Sequence, residues 1–139
     1  MIRKRLFGVA PETRLPASAY TTEVSRRVYE ALRQKAATAL AARHSVIIDA
    51  VSLKPEERRS FAAVAEAAAV PFSGLWLAAP ALTMEARLRA RRHDASDASP
   101  QVLAQQLRQD AGPVDWLIIE AGTGREDCLA AARRALALG

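Results

Sequence analysis

The sequence predicts an α/β fold, a parallel sheet between layers of helix, in a single domain over residues 1–139. Two observations carry that expectation. Three short, mainly apolar runs, residues 45–50, 72–78 and 116–121, have the make-up of strands buried on both faces. Helical patterns lie between them, and strands that alternate with helices are joined by crossovers and so run parallel. Half of the residues are apolar and a quarter are charged, a globular composition at a length that suits one core. There is no internal repeat and no low-complexity stretch.

Residues 1–20 read as a short helix and then a loop, because Gly8, Pro11 and Pro16 interrupt any period. A long helix is expected from Thr21 or Thr22, either of which can cap it, with Glu23 in its first turn. Val24, Val28, Ala31, Leu32, Ala36, Ala39 and Leu40 keep to one face of it. Residues 45–50 form the first strand, with Val46, Ile47 and Ile48 at its centre. Pro55 opens the next helix, with Glu56 and Glu57 in the first turn and Phe61, Val64, Ala65 and Ala68 inward. Residues 72–78 form the second strand, with Trp76 directed to one face beneath a helix. An arginine-bearing helix follows Thr83. Ser99 and Pro100 cap and open another helix, and residues 116–121 form the third strand. A last helix from Arg125 to Leu138 places Cys128, Leu129, Ala132, Ala135 and Leu136 on its apolar face, with Cys128 expected in the core.

Composition excludes several classes. No segment approaches the roughly 18 apolar residues of a membrane span, and the first ten residues hold no apolar stretch long enough for a secretory signal. The lone Cys128 precludes an internal disulfide and suits a reducing compartment, so a cytoplasmic location is expected. One cysteine and two unclustered histidines, His44 and His93, argue against structural zinc. The net charge of +5 fits nucleic acid or a phosphate-bearing ligand. Lysine occurs only at Lys4, Lys35 and Lys54, and the excess of arginine and alanine also fits a GC-rich coding sequence. The two Trp, two Tyr and three Phe fall mostly at core-like positions rather than among basic residues, which weighs against a nucleic-acid surface.

In an open parallel sheet, ligands bind beyond the carboxyl ends of the strands. The first run ends in Asp49, an acid placed either to hold magnesium or to cap the following turn; the two readings stand level. The third ends in Glu120 ahead of Gly122, Thr123 and Gly124, a turn whose backbone is also free to meet a phosphate or a base. After the second run come Arg87, Arg89, Arg91 and Arg92, then a small-residue loop with Asp94 and Asp97. This stretch is either a solvated helix end or a cover over a phosphate, whose oxygens match the planar arginine fork. No Ser–His–Asp or Cys–His set is suggested by position, and His44 reads as a surface residue.

The order of these parts resembles the predicted-kinase branch of the P-loop NTPases. The features that match are the strand ending in Asp49, the helix opening Lys54-Pro55-Glu56-Glu57-Arg58, the strand ending Ala78-Ala79-Pro80, the pair Arg87 and Arg91, and Ser96-Asp97-Ala98. That branch includes zeta-toxin-like, polynucleotide and gluconate-kinase-like enzymes, and AAA domains fused to aminoglycoside-phosphotransferase-like modules. The resemblance covers nearly the whole chain. It implies a lid over about residues 83–99, whose Arg87 and Arg91 close on the phosphates of ATP. It also implies magnesium at Asp49 and a contribution of Arg3 to binding a small-molecule phosphate acceptor. The parent activity is ATP-dependent phosphoryl transfer to a hydroxyl of a small molecule or a nucleic-acid end, with ATP and Mg2+ as cofactors.

One departure bears on all of this. The sequence contains no G-x-x-x-x-G-K-[ST], the loop whose backbone cradles the phosphates and whose lysine and hydroxyl serve phosphate and magnesium. The chain therefore corresponds to the C-terminal three-quarters of such a domain, with the first strand and phosphate loop expected upstream of Met1, and alone it is expected neither to bind ATP tightly nor to turn it over. The competing reading is a non-catalytic, degenerate domain that associates with itself, as a homo-dimer, or with a partner through unpaired strand edges. In the resembling fold the first strand lies between the third and the fourth. Its absence leaves a gap or forces residues 45–50 directly against residues 72–78. Pro11 and Pro16 make residues 1–20 a poor substitute strand.

Overall fold

The protein is described by a computed structural model in which residues 1–90 and 100–137 are described. Its elements are α1 (Ile2–Leu6), a 3-10 turn (Ala17–Tyr20), α2 (Thr22–Ala41), α3 (Pro55–Ala67), β1 (Leu75–Ala78), α4 (Ala81–Ala90), α5 (Pro100–Leu107), β2 (Leu117–Glu120) and α6 (Arg125–Ala135). This is a mixed α/β chain with a small parallel sheet. β1 and β2 pair in parallel, with Leu75 opposite Leu117 and Ala78 opposite Glu120. Among the described residues no helix is long and apolar enough to cross a membrane.

The amino-terminal third is built by local signals and two cations, one buried and one half-buried. Lys4 is buried, and its ammonium donates to the Thr13 carbonyl. Arg3 donates from Nη1 to the Ala19 carbonyl at 2.5 Å and from Nη2 to Ser25 Oγ at 3.3 Å. Its guanidinium also lies 4.8 Å from the centre of the Tyr20 ring. These contacts fasten α1 to the 3-10 turn and to the start of α2. Thr21 caps α2, its hydroxyl accepting from the Val24 amide at 3.3 Å, which satisfies one of the amides that a helix start leaves open. Val28 and Ala36 of α2 are buried, as are Phe61 and Ala65 of α3, on the faces expected from the spacing. The Tyr29 and Phe61 rings stack at 5.7 Å between the two helices. Pro55 stands at the first position of α3, and the Glu57 carboxylate accepts from the Lys54 amide at 3.2 Å.

The first expected strand requires correction. Residues 45–50 belong to no strand, and Ile47 is 97% exposed. A β-branched run favours the extended backbone, but a strand exists only when a neighbour accepts its ladder of hydrogen bonds. β1 pairs with β2 and not with residues 45–50. The direct pairing of residues 45–50 with residues 72–78 is therefore not made, and the expected three strands are two among the described residues. Residues 1–20 supply no substitute strand. The other two strands are shorter than expected, because the backbone of Phe72 and Ser73 runs ahead of the ladder.

Arg58 holds these pieces together. It is 2% exposed. Nη1 donates to the carbonyls of Ser52 (3.0 Å) and Leu53 (2.7 Å), and Nη2 to those of Ala111 (2.7 Å) and Pro113 (2.9 Å). The guanidinium lies over the Trp76 ring of β1 at 5.3 Å. Tyr29 adds a further tie from α2, its hydroxyl accepting from the Ser52 amide at 2.9 Å. Burial raises the Tyr29 pKa, a shift opposed by that bond.

Gly74 shows how closely the strands meet. A Cβ at that position would lie 2.3 Å from Cδ2 and Cγ of Trp116, which also meets Phe72 edge-on at 5.9 Å. Gly74→Ala must displace the indole, and overpacking of this kind costs about 1–3 kcal/mol. Urea unfolding followed by tryptophan emission should show the loss; an unchanged midpoint would mean that the indole moves freely.

Candidate functional site

The carboxyl ends of β1 and β2 open into a cleft of about 350 Å3, lined by Leu77, Arg87, Ala121, Gly124, Arg125 and Cys128. Each lining residue has a clear origin. Leu77 comes from β1, and Ala121 and Gly124 from the loop that continues β2. Arg125 and Cys128 come from the first turns of α6, which Gly124 caps. Arg87 comes from the last turn of α4, which Pro80 starts immediately after β1 by accepting from the Met84 amide at 3.1 Å. The sheet ladder runs into this loop, since the Ala121 amide donates to the Ala78 carbonyl at 2.6 Å.

Arg87 is the side chain that organises the cleft. Nη1 donates to the Ala121 carbonyl at 2.6 Å and Nη2 to the Thr123 carbonyl at 3.1 Å. The arginine expected at the lid thus ties α4 to the loop after β2, and its charge meets no carboxylate in those bonds. Arg125 adds a second cation at the rim, exposed to solvent. The floor is apolar, from Leu77, Ala121 and half-buried Cys128. Cys128 therefore faces a cleft rather than sitting in the core as the apolar spacing suggested. The α6 face holds no buried residue among those described, because a two-stranded sheet is too narrow to cover it.

The other candidates lie apart. Asp49 is exposed in the unpaired segment between α2 and α3, and it makes no hydrogen bond or ion pair with Arg87. The loop that follows it, Ser52 and Leu53, is tied through Arg58 to Ala111 and Pro113, which lead into the amino end of β2. Arg3 is engaged with Ala19, Ser25 and Tyr20. Arg91 and residues 91–99 of the expected lid lie outside the described residues. Arg89, next to Arg87 in sequence, forms an exposed pair with Glu85 at 3.4 Å, of a kind that contributes little. Among the described residues no group of three or more His, Cys, Asp or Glu is placed to hold a metal ion. Any magnesium at Asp49 would therefore rely on phosphate and water for its other ligands.

A second hollow of about 290 Å3 lies at the amino ends of the strands, beside Arg58, Arg59, Phe72, Asp115 and Trp116. Ligand sites of parallel sheets form at the opposite edge, so the carboxyl cleft is the candidate. Two of its residues were not singled out from sequence. Leu77 looked only like strand core, and Arg125 looked like an ordinary surface charge, although its place directly after the Gly122–Gly124 turn was a usable signal.

A family model described as an AAA domain matches residues 1–113. The match takes in Asp49, Arg58 and Arg87 and stops short of β2 and α6. No curated protein and no solved structure matches the chain.

Proposed function

The chain belongs to this AAA-domain family, and from that premise we propose that it is a P-loop kinase-like nucleotide-binding domain whose carboxyl cleft takes the nucleotide. The parent activity is ATP-dependent transfer of a phosphoryl group to a hydroxyl of a small molecule or a nucleic-acid end. The observation that carries the reading is the placing of Arg87, which lies within the stretch that the family model matches, at the carboxyl edge of a parallel sheet over a cleft of about 350 Å3. When bound, ATP with Mg2+ supplies the phosphoryl group and the charge that neutralises it. Arg87 presents a fixed cation at the rim. A phosphate that competes for its donors offers the planar fork two ionised oxygens in place of two neutral carbonyls. The apolar floor of Leu77, Ala121 and Cys128 suits the flat face of a base.

The sequence holds no G-x-x-x-x-G-K-[ST], so we propose that this chain by itself binds ATP weakly and does not hydrolyse it. Titration calorimetry with ATP and Mg2+ is expected to give a dissociation constant well above micromolar. A micromolar value, about −8 kcal/mol, would show that the cleft manages without a phosphate cradle. Cys128 reports on the site itself. ATP at millimolar concentration should slow its alkylation by iodoacetamide, and an unchanged rate would remove the cleft from consideration.

A further inference from the structure

The hollow of about 290 Å3 at the amino ends of the strands takes no part in the nucleotide reading. Its walls belong to elements that are fastened to one another. The ladder of β1 and β2 continues to its edge, where the Leu117 amide donates to the Gly74 carbonyl at 2.9 Å. α3 is tied to the lead-in of β2 by Arg58, through the carbonyls of Ala111 and Pro113. The aromatic wall is equally fixed. The Trp116 ring fills the space that a Cβ on Gly74 would need, and Phe72 meets it edge-on at 5.9 Å. Trp116 is half-buried and Phe72 is 41% exposed, so both leave apolar surface facing the hollow. Two opposite charges line the same space. Arg59 and Asp115 are exposed, and among the described residues neither makes a hydrogen bond or an ion pair. Arg26, Arg33 and Arg89, by contrast, each pair with a glutamate of their own helix. The terminal nitrogens of Arg58 are engaged by four carbonyls, which leaves Arg59 as the cation that a ligand of this hollow can engage.

We propose that this hollow binds a free α-amino acid with an aromatic side chain. Arg59 takes the carboxylate, since its planar fork matches two oxygens. Asp115 takes the ammonium group. The ring of the ligand lies against Trp116 and Phe72, where aromatic contact adds to the area buried. A ligand that carries both charges is selected over one that carries a single charge. A simple anion drawn to Arg59 also meets the Asp115 carboxylate, and a simple cation drawn to Asp115 also meets Arg59. The same argument turns away the phosphates of a nucleotide. A volume of about 290 Å3 stands at the small end of ligand pockets, which suits one amino acid rather than a peptide. The site is separate from the carboxyl cleft, so either reading can fail without the other.

The test is a nuclear magnetic resonance titration of nitrogen-15-labelled protein with unlabelled L-phenylalanine. The indole N–H signal of Trp116, identified by its loss in Trp116→Phe, is expected to move with a dissociation constant on the order of millimolar. Phenethylamine lacks the carboxylate and 3-phenylpropionate lacks the ammonium group. Each should bind at least about three-fold more weakly than phenylalanine, the scale of one exposed ion pair. Arg59→Gln should bring phenylalanine down to the affinity of phenethylamine without weakening phenethylamine itself. Asp115→Asn should bring it down to that of 3-phenylpropionate without weakening 3-phenylpropionate. Both side chains are exposed and unbonded, so the remaining signals of each variant should stay those of the folded parent. An indole signal that phenylalanine does not move at the limit of its solubility would overturn the proposal. So would equal affinity for either single-charge analogue, or phenylalanine binding indifferent to Arg59→Gln and Asp115→Asn.

Discussion

Replacing Arg58 by alanine is expected to lower the unfolding free energy by about 3–5 kcal/mol, since four carbonyls lose their donors and each that water does not reach costs about 1–3 kcal/mol. Four carbonyls share its two terminal nitrogens, and those of Ser52 and Leu53 are separated in sequence from those of Ala111 and Pro113 by more than fifty residues. The truncation removes every one of these bonds together with the contact to Trp76. Arg58→Lys should recover little, because a single ammonium cannot present two parallel pairs of donors in one plane. The measurement is thermal unfolding by circular dichroism, with a fall in Tm of at least about 10 °C expected for a chain of this size. A variant that melts within about 2 °C of the parent would show that the four carbonyls are hydrated at little cost.

The largest functional effect is expected at Arg87. In a protein to which a phosphate loop has been supplied and which turns ATP over, Arg87→Ala should reduce kcat by on the order of a hundred-fold or more, as removal of a phosphate-stabilising arginine commonly does. The geometry adds a second consequence. The same substitution frees the Ala121 and Thr123 carbonyls, so the loop that forms the cleft wall should loosen. Alkylation of Cys128 in the ATP-free variant should then speed up. Turnover near the parent rate would return Arg87 to a purely structural tie, and only the faster alkylation would remain. Arg89 lies about 100° further around the helix and pairs with Glu85 in solvent, so Arg89→Ala serves as the silent control.

The parts legible in the sequence were those decided over a few residues. Thr21 caps because its hydroxyl needs only the amide of Val24, and Pro55 starts a helix because its ring sets its own backbone angle. The inward faces of α2 and α3 follow from spacing alone. Residues 45–50 mark the limit of that logic. Val46, Ile47 and Ile48 favour an extended backbone, but strand formation depends on a neighbour that no local pattern contains. Arg58 was illegible for a different reason. It stands within Glu56-Glu57-Arg58-Arg59, which reads as a solvated first turn, and its carbonyl partners at Ala111 and Pro113 lie in a loop without a signature. Arg87 was half legible. Its place after β1 follows from the order of elements, while its engagement with Ala121 and Thr123 depends on how closely α4 approaches the loop after β2.

The reach of Arg58 also governs the order in which the chain can acquire its shape during synthesis. Until Pro113 has left the ribosome, two of the four carbonyls that quench this cation do not yet exist near it. Residues 1–67 can form α2, α3 and their stacked rings, but they carry a charged group with half its ligands missing at the place where α3 must close. The emerging polypeptide should therefore stay protease-sensitive around Ser52 and Leu53 until the lead-in to β2 arrives, then harden in one step. Nascent chains stalled with residue 105 or residue 125 as the last residue outside the exit tunnel would differ sharply in protection of that loop, although both expose all of α3.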